Sequence, residues 1–178
     1  MDLFEAARKG REAAFLELFD EHHLALFRFA YRLTGSVADA EDVVQECFLE
    51  LLRPGCSYDA QRTALRTYLF GVVRNQAVKR WRKSAVGTGS GAEWRDDGSP
   101  ESQVLRLEME DAVARAVMQL PDTQREVLIL AHYEQMPLAE IGRVVGIDVG
   151  AVKSRLQRAR ARLKEVLAAH APGPGRKS

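Results

Sequence analysis

Six cations, Lys153, Arg155, Arg158, Arg160, Arg162 and Lys164, fall between Val149 and Lys164 with no carboxylate among them. Guanidinium and ammonium groups without internal partners suit phosphate binding. An arginine fork can also bond guanine, and a glutamine amide can bond adenine, at about 1–3 kcal/mol of discrimination each. Spacing tells which groups face which way. Val152, Leu156, Ala159, Leu163 and Val166 recur at steps of four, three, four and three, one buried stripe on an α-helix. The opposite face holds Gly150, Ser154, Gln157, Arg158 and Ala161, flanked by Lys153, Arg155 and Arg162. Small residues there allow close approach to a groove. A shorter helix, Leu138–Val145, and a Gly146-Ile147 break precede this segment. Helix, turn and helix in that order predict a helix-turn-helix with its second helix in the DNA major groove. Ser154, Gln157 and Arg158 then face base edges, and Lys153, Arg155 and Arg162 hold phosphates, which position without specifying sequence. Arg160 and Lys164 read as a solvated flank.

A second basic cluster lies earlier. Arg62, Arg66, Arg74, Lys79, Arg80, Arg82 and Lys83 stand on or beside a helix predicted over 64–83, and no acidic residue occurs between Asp59 and Glu93. A merely solvated face normally mixes signs, so phosphate binding is the better reading. Leu65, Leu69, Val72, Ala77 and Trp81 form its apolar stripe, with Tyr68 and Val73 at the margins. Tyr68 and Trp81 have rings that can stack on bases, but Trp81 sits on the stripe and reads as core. Asn75 has two readings, a hydrogen bond to DNA or a tie within the helix.

The third cluster is acidic. Asp39, Asp42, Gln45 and Glu46 share one helix, with Asp42, Gln45 and Glu46 three and four residues apart. Taken alone, this is a solvated face.

Enzymatic chemistry has no visible basis. The histidines are His22, His23, His132 and His170, and neither HExxH, a Ser/His/Asp arrangement nor a phosphate loop is present. Cys47 and Cys56 lack CxxC partners and read as ordinary reduced thiols of a cytoplasmic protein. No metal or cofactor is expected. The longest apolar run, residues 127–131, is too short to span a bilayer.

The elements that carry these clusters are all helical. Of the 178 residues, 46% are hydrophobic, with few β-branched runs. Net charge is only +1, but residues 1–50 carry −6, 51–83 carry +7, 84–119 carry −4 and 120–178 carry +4. Two basic blocks alternate with two acidic ones, which predicts two separate nucleic-acid-facing surfaces. Helices are predicted over 2–9, 12–33 and 38–53, the second with Phe15, Leu18, Phe19, Leu26, Phe29 and Leu33 as core. Ser36 caps the third, whose inward residues are Val43, Val44, Cys47, Phe48 and Leu51. A polar, glycine-rich stretch over 84–103 predicts a flexible acidic linker. The predicted organisation is therefore an all-α chain of two helical domains, 1–83 and 104–170, with a disordered tail at 171–178. Within the second domain a helix over 104–119 is followed by one that Pro121 opens.

Together the blocks resemble one family, the small two-domain bacterial sigma factors of the extracytoplasmic-function group. Asp39-Ala40-Glu41-Asp42-Val43-Val44-Gln45-Glu46-Cys47-Phe48-Leu49 is similar to that family's polymerase-binding helix. Residues 69–75, ending Val73-Arg74-Asn75, resemble its promoter-melting helix. Leu120-Pro121, Gln124-Arg125-Glu126-Val127-Leu128, Ile141-Gly142, Gly146-Ile147 and Val149-Gly150-Ala151-Val152-Lys153-Ser154-Arg155-Leu156 resemble its second DNA-binding domain. The likeness covers roughly residues 10–83 and 104–168 in the family's order. Three departures stand out: Tyr68 where the family usually has Trp, Pro137 where it usually has Ser, and a loop at 54–63 unlike the family's base-reading loop.

The resemblance implies that Asp39, Asp42, Gln45 and Glu46 dock on the clamp of core RNA polymerase. It implies that Arg62, Arg66, Tyr68, Arg74, Asn75, Lys79 and Arg80 meet the −10 element of promoter DNA and its unpaired strand. Lys153, Ser154, Arg155, Gln157, Arg158 and Arg162 would read the −35 element. An anti-sigma protein is an expected partner. Glu93, Asp96 and Asp97 of the linker have two readings, an RNA mimic near the transcript exit or a plain tether. The competing reading of the whole chain, a helix-turn-helix regulator with a helical sensing domain, accounts for neither the acidic helix nor the basic helix at 64–83.

Overall fold

The computed structural model describes residues 2–85 and 111–170, which form eight α-helices and no strand. In chain order they are α1 (Leu3–Arg8), α2 (Glu12–Thr34), α3 (Val37–Leu52), α4 (Leu65–Ala85), α5 (Asp111–Met118), α6 (Asp122–His132), α7 (Leu138–Val145) and α8 (Val149–His170). Helices α1–α4 make a first module and α5–α8 a second. Residues 84 and 85, predicted as linker, are the last of α4. The rest of the predicted linker, the start of the helix predicted over 104–119 and the tail lie outside the described residues.

Local chemistry explains the joints of the first module. Gly35 ends α2 at φ 69°, and its amide donates to the Tyr31 carbonyl at 2.7 Å. A residue with a Cβ is strained there. Ser36 starts α3 as expected, its Oγ accepting the Asp39 amide at 3.2 Å. All five predicted inward residues of α3 are buried. In α2, Leu18, Leu26 and Phe29 are buried, Phe15, Phe19 and Leu33 are half-buried, and Phe27 and Tyr31 are buried as well. The buried set is wider than the predicted one, because α2 packs against α1, α3, α4 and α6.

Helix α4 departs furthest from its sequence pattern. Leu69 and Ala77 are buried as predicted, but so are Thr67, Phe70 and Val73, while Leu65, Val72 and Trp81 are only half-buried. The cause is that α4 is covered on two sides, by α2 and α3 within its own module and by α7 of the second. Phe70 meets Phe29 with ring centroids 5.1 Å apart.

The second module is built on α6, whose Val127, Leu128, Ile129 and Leu130 are all buried. Pro121 and Pro137 stand at the N-cap positions of α6 and α7, one residue before each helix, where a missing amide costs no helical hydrogen bond. Gly146 ends α7 at φ 73°, and the Gly142 carbonyl accepts the amides of Gly146 and Ile147 at 2.9 and 3.0 Å. A Cβ on Gly142 would stand 2.6 Å from the Ile147 carbonyl oxygen, so the turn needs glycine there. Asp148 then caps α8, its Oδ1 accepting the Ala151 amide at 2.8 Å. Along α8, Val152, Leu156 and Ala159 are buried and Leu163 and Val166 half-buried, the predicted stripe.

The two modules share one continuous apolar core, running from Phe4 and Leu18 through Leu69 and Phe70 to Ile141, Val152 and Ala159.

Candidate polymerase and nucleic-acid interfaces

The acidic cluster sits on the outer face of α3. Asp42 and Gln45 are exposed, and Asp39 and Glu46 are half-buried. A cation from the neighbouring helix organises the carboxylates. Arg80 of α4 reaches Asp39 at 3.8 Å and Asp42 at 3.3 Å, and its Nη2 donates to Glu46. The structure thus brings a residue from the predicted −10 set into the predicted polymerase-binding set. Gln76 adds a bond to Glu50 at 3.5 Å, and Leu49 is 60% exposed beside it. This face is a row of oriented acceptors around an apolar side chain, the composition of a protein-docking surface with a charged rim.

The basic face of α4 is divided. Arg62, Asn75 and Lys79 are exposed. Arg66 and Arg74 are turned into the second module. Arg74 forms a fork on Glu126 of α6, Nε to Oε2 at 2.7 Å and Nη2 to Oε1 at 3.1 Å, and donates from Nη1 to Asn75 Oδ1 at 3.3 Å. The intrahelix reading of Asn75 therefore has a partner. Arg66 lies over the Phe70 ring at 4.9 Å and donates to both the carbonyl and the carboxylate of Glu134 at 3.3 Å. Between them, Thr67 donates to Glu140 at 3.1 Å. Burial raises the Glu134 carboxyl above its ordinary range, opposed by the positive fields of Arg32, Arg66 and Arg28.

Tyr68 faces the other way, onto the loop at 54–63. Its hydroxyl lies 3.5 Å from Cys56 Sγ and 3.3 Å from Ser57 Oγ. Its ring meets Tyr58 at 5.2 Å, and Tyr58 meets Phe4 of α1 edge-on at 4.8 Å. Burial, with the Cys56 contact adding to it, pushes the Tyr68 phenol up to about 12, so it stays protonated. Cys47 is buried, donates to the Leu69 carbonyl at 3.7 Å and is pushed to about 12 by burial, the state of an inert thiol.

Helix α8 leaves open the face that the spacing predicted. Lys153, Ser154, Gln157, Arg158 and Arg162 are exposed together with Gly150 and Ala161. The Arg158 Nε donates to the Ser154 carbonyl at 3.2 Å, which leans the guanidinium along the helix. Arg155 is the exception. It is half-buried and donates to Glu126 Oε1 at 3.3 Å.

Sequence reasoning did not find the residues that organise these surfaces. Glu126, Glu134 and Glu140 partner α4 from 52 or more positions away, a distance at which no linear pattern connects them. Arg125 is buried, and its guanidinium donates to the Met118 and Leu120 carbonyls at 2.7 and 3.0 Å and to the Leu33 carbonyl at 3.1 Å. It closes the C-terminal ends of α5 and α2 together, where positive charge suits the helix dipole. The one sequence signal was an Arg-Glu pair embedded in an apolar helix.

Among the described residues no group of His, Cys, Asp and Glu is gathered to hold a metal ion, and no helix is long and apolar enough to cross a membrane.

Comparison with known proteins agrees with this layout. Residues 18–86 match the family model of Sigma-70 region 2, and residues 110–163 match that of Sigma-70 region 4. The extracytoplasmic-function (ECF) RNA polymerase sigma factor SigW of Bacillus subtilis is 30% identical over 173 residues, covering 90% of this chain and 92% of its own length. The structure of CnrH in complex with the cytosolic domain of CnrY superposes with a TM-score of 0.73 at 28% identity, over 95% of this chain and 97% of that one. The fold is also that of the sigma factor RpoE in its co-crystal with the anti-sigma factor NepR from Bartonella quintana, with a TM-score of 0.68 at 24% identity, over 88% of this chain and 98% of that one. With an acidic face on α3, a basic helix and a helix-turn-helix in the matching order, the chain belongs to the ECF group of sigma-70 factors, which direct RNA polymerase to start transcription at promoters.

Proposed function

We propose that the three surfaces divide the work of initiation. The face of α3 carrying Asp39, Asp42, Gln45 and Glu46 docks on core RNA polymerase. Arg62, Arg66, Tyr68, Arg74, Asn75 and Lys79 on and beside α4 engage the −10 element. Ser154, Gln157 and Arg158 on α8 read the −35 element while Lys153, Arg155 and Arg162 hold phosphates. Opening a duplex costs stacking energy. The α4 surface must therefore bind separated strands more tightly than paired ones. The contacts of Arg80 with Asp39, Asp42 and Glu46 support a part for it in holding the polymerase face in register, beside the −10 role expected from the sequence.

The observation that carries this division is the exposed face of α8. Every side chain predicted to meet base edges stands in solvent, on a helix pinned by the Gly142–Gly146 turn. The protein acts by binding, with no chemistry of its own, in the cytoplasm where polymerase works. An anti-sigma protein is a fitting partner, as for the RpoE relative solved with NepR.

Run-off transcription with purified core polymerase and no other sigma factor tests the whole assignment. Transcripts from discrete starts are expected, and none would remove it. In a pull-down, Asp42→Arg is expected to weaken core binding by reversing charge at the Arg80 cluster, and unchanged retention would dissociate α3 from that role.

A further inference from the structure

Glu126 of α6 is buried against α8 within the second module. Its side chain is 2% exposed, and its Oε1 accepts from Arg155 Nη1 at 3.3 Å. The Arg155 side chain is 24% exposed, whereas Lys153 and Arg162, the other two cations proposed to hold phosphates, stand in solvent. One guanidinium therefore reaches from a buried carboxylate to the surface of α8.

We infer that Glu126 is a positioning residue for −35 binding: it fixes the Arg155 guanidinium before DNA arrives, so that a backbone phosphate meets a preset group. The inference rests on the phosphate role proposed for Arg155 above. Three observations support it. The bond to Glu126 engages only Nη1, and among the described residues Arg155 makes no other hydrogen bond, so Nε and Nη2 keep their donors for phosphate oxygens. A guanidinium is planar, so holding one nitrogen restricts the plane of the whole fork. Both partners also stand on firmly packed helices. Val127 and Leu128 are buried beside Glu126, and Val152 and Leu156 are buried beside Arg155. A contact group held by rigid elements loses less freedom when its ligand binds.

The full chain bound to core polymerase is titrated on a labelled duplex over a range of KCl concentrations. The duplex comes from a promoter mapped by run-off transcription and ends between its −35 and −10 elements. Arg74, which shares the Glu126 carboxylate, then has no −10 DNA to meet. The slope of log affinity against log salt counts the phosphates held. Arg155→Ala should lower that slope by about 0.9, the worth of one phosphate. Arg155→Lys keeps the cation and should retain the slope. Glu126→Gln should weaken binding about two- to tenfold, what ordering one long side chain is worth. Removing a negative charge by itself acts the other way. Glu165→Gln, at an exposed site on α8, should show this by binding at least as tightly as wild type. In an Arg155→Ala background, Glu126→Gln should add nothing.

Glu126→Gln affinity equal to or above wild type overturns the inference. So does a full further loss in the Arg155→Ala background, which would make Glu126 a support of the fold alone. An unchanged salt slope in Arg155→Ala overturns it as well, and needs no Glu126 variant that folds. Arg158→Ala on the same duplex keeps the two readings apart. Its loss of binding persists if only this inference fails, and is absent if α8 does not read the −35 element.

Discussion

Helices α4 and α8 carry the two basic faces of the chain and present them in opposite states. On α8, Ser154, Gln157 and Arg158, the residues proposed to read bases, stand in solvent, and the turn before them is fixed by glycine geometry. On α4 the central arginines are spent on carboxylates of the other module, and the helix is covered on two sides. The difference follows from packing: α8 keeps solvent on its polar side, whereas α4 lies between α2 and α3 on one side and α7 on the other, with Glu126 and Glu134 set against its arginines.

The largest expected effect tests the burial of α4. Phe70→Ala should cost about 3–5 kcal/mol in urea unfolding, and unfolding should remain a single transition because both modules share one core. Two separate transitions would break the comparison at its base. Gly142→Ala tests the other helix. The new methyl cannot fit beside the Ile147 carbonyl, and a loss of about 1–3 kcal/mol is expected. Loss of −35 duplex binding should accompany it, with core-polymerase affinity retained. Wild-type duplex affinity would mean that α8 does not depend on this turn.

Arg158→Ala sharpens the contrast by specificity. Binding to promoter duplex should fall by about 1–3 kcal/mol, and binding to random duplex much less. Equal losses on both duplexes would move Arg158 to the phosphate contacts. Ser36→Ala should cost about 1 kcal/mol of thermal stability through the lost α3 cap.

The smallest effect is titration. Burial lowers the pKa of His22 and His23 from their ordinary 6.5. The unfolded chain then binds protons that the folded chain refuses, so stability is full above that value and falls as pH drops through it. Glu134, raised by burial, works oppositely at lower pH. A melting temperature that falls between about pH 7.5 and pH 5.5 is expected, with a shallower fall in the His22→Gln, His23→Gln double variant. Identical slopes would place the effect elsewhere.

Much of this was legible in the order of residues. The apolar steps of α8 gave its buried stripe and therefore its open face, because a helix flanked by solvent needs only one apolar side. Ser36 and Gly35 marked a boundary through local hydrogen bonding alone. The pattern failed on α4, where Phe70 and Val73 proved more buried than Val72 and Trp81. A helix covered on two sides by elements distant in sequence has no single stripe to read.

By itself, then, the sequence determined the helices, their caps and the positions of the charged faces, since these depend on neighbours within a turn or two. Only the tertiary structure decided that Arg80 organises the acids of α3, and that Glu126 joins Arg74 to Arg155. Those pairings depend on which helices pack together, and charge acts through space over a few ångströms regardless of how far apart its partners lie along the chain.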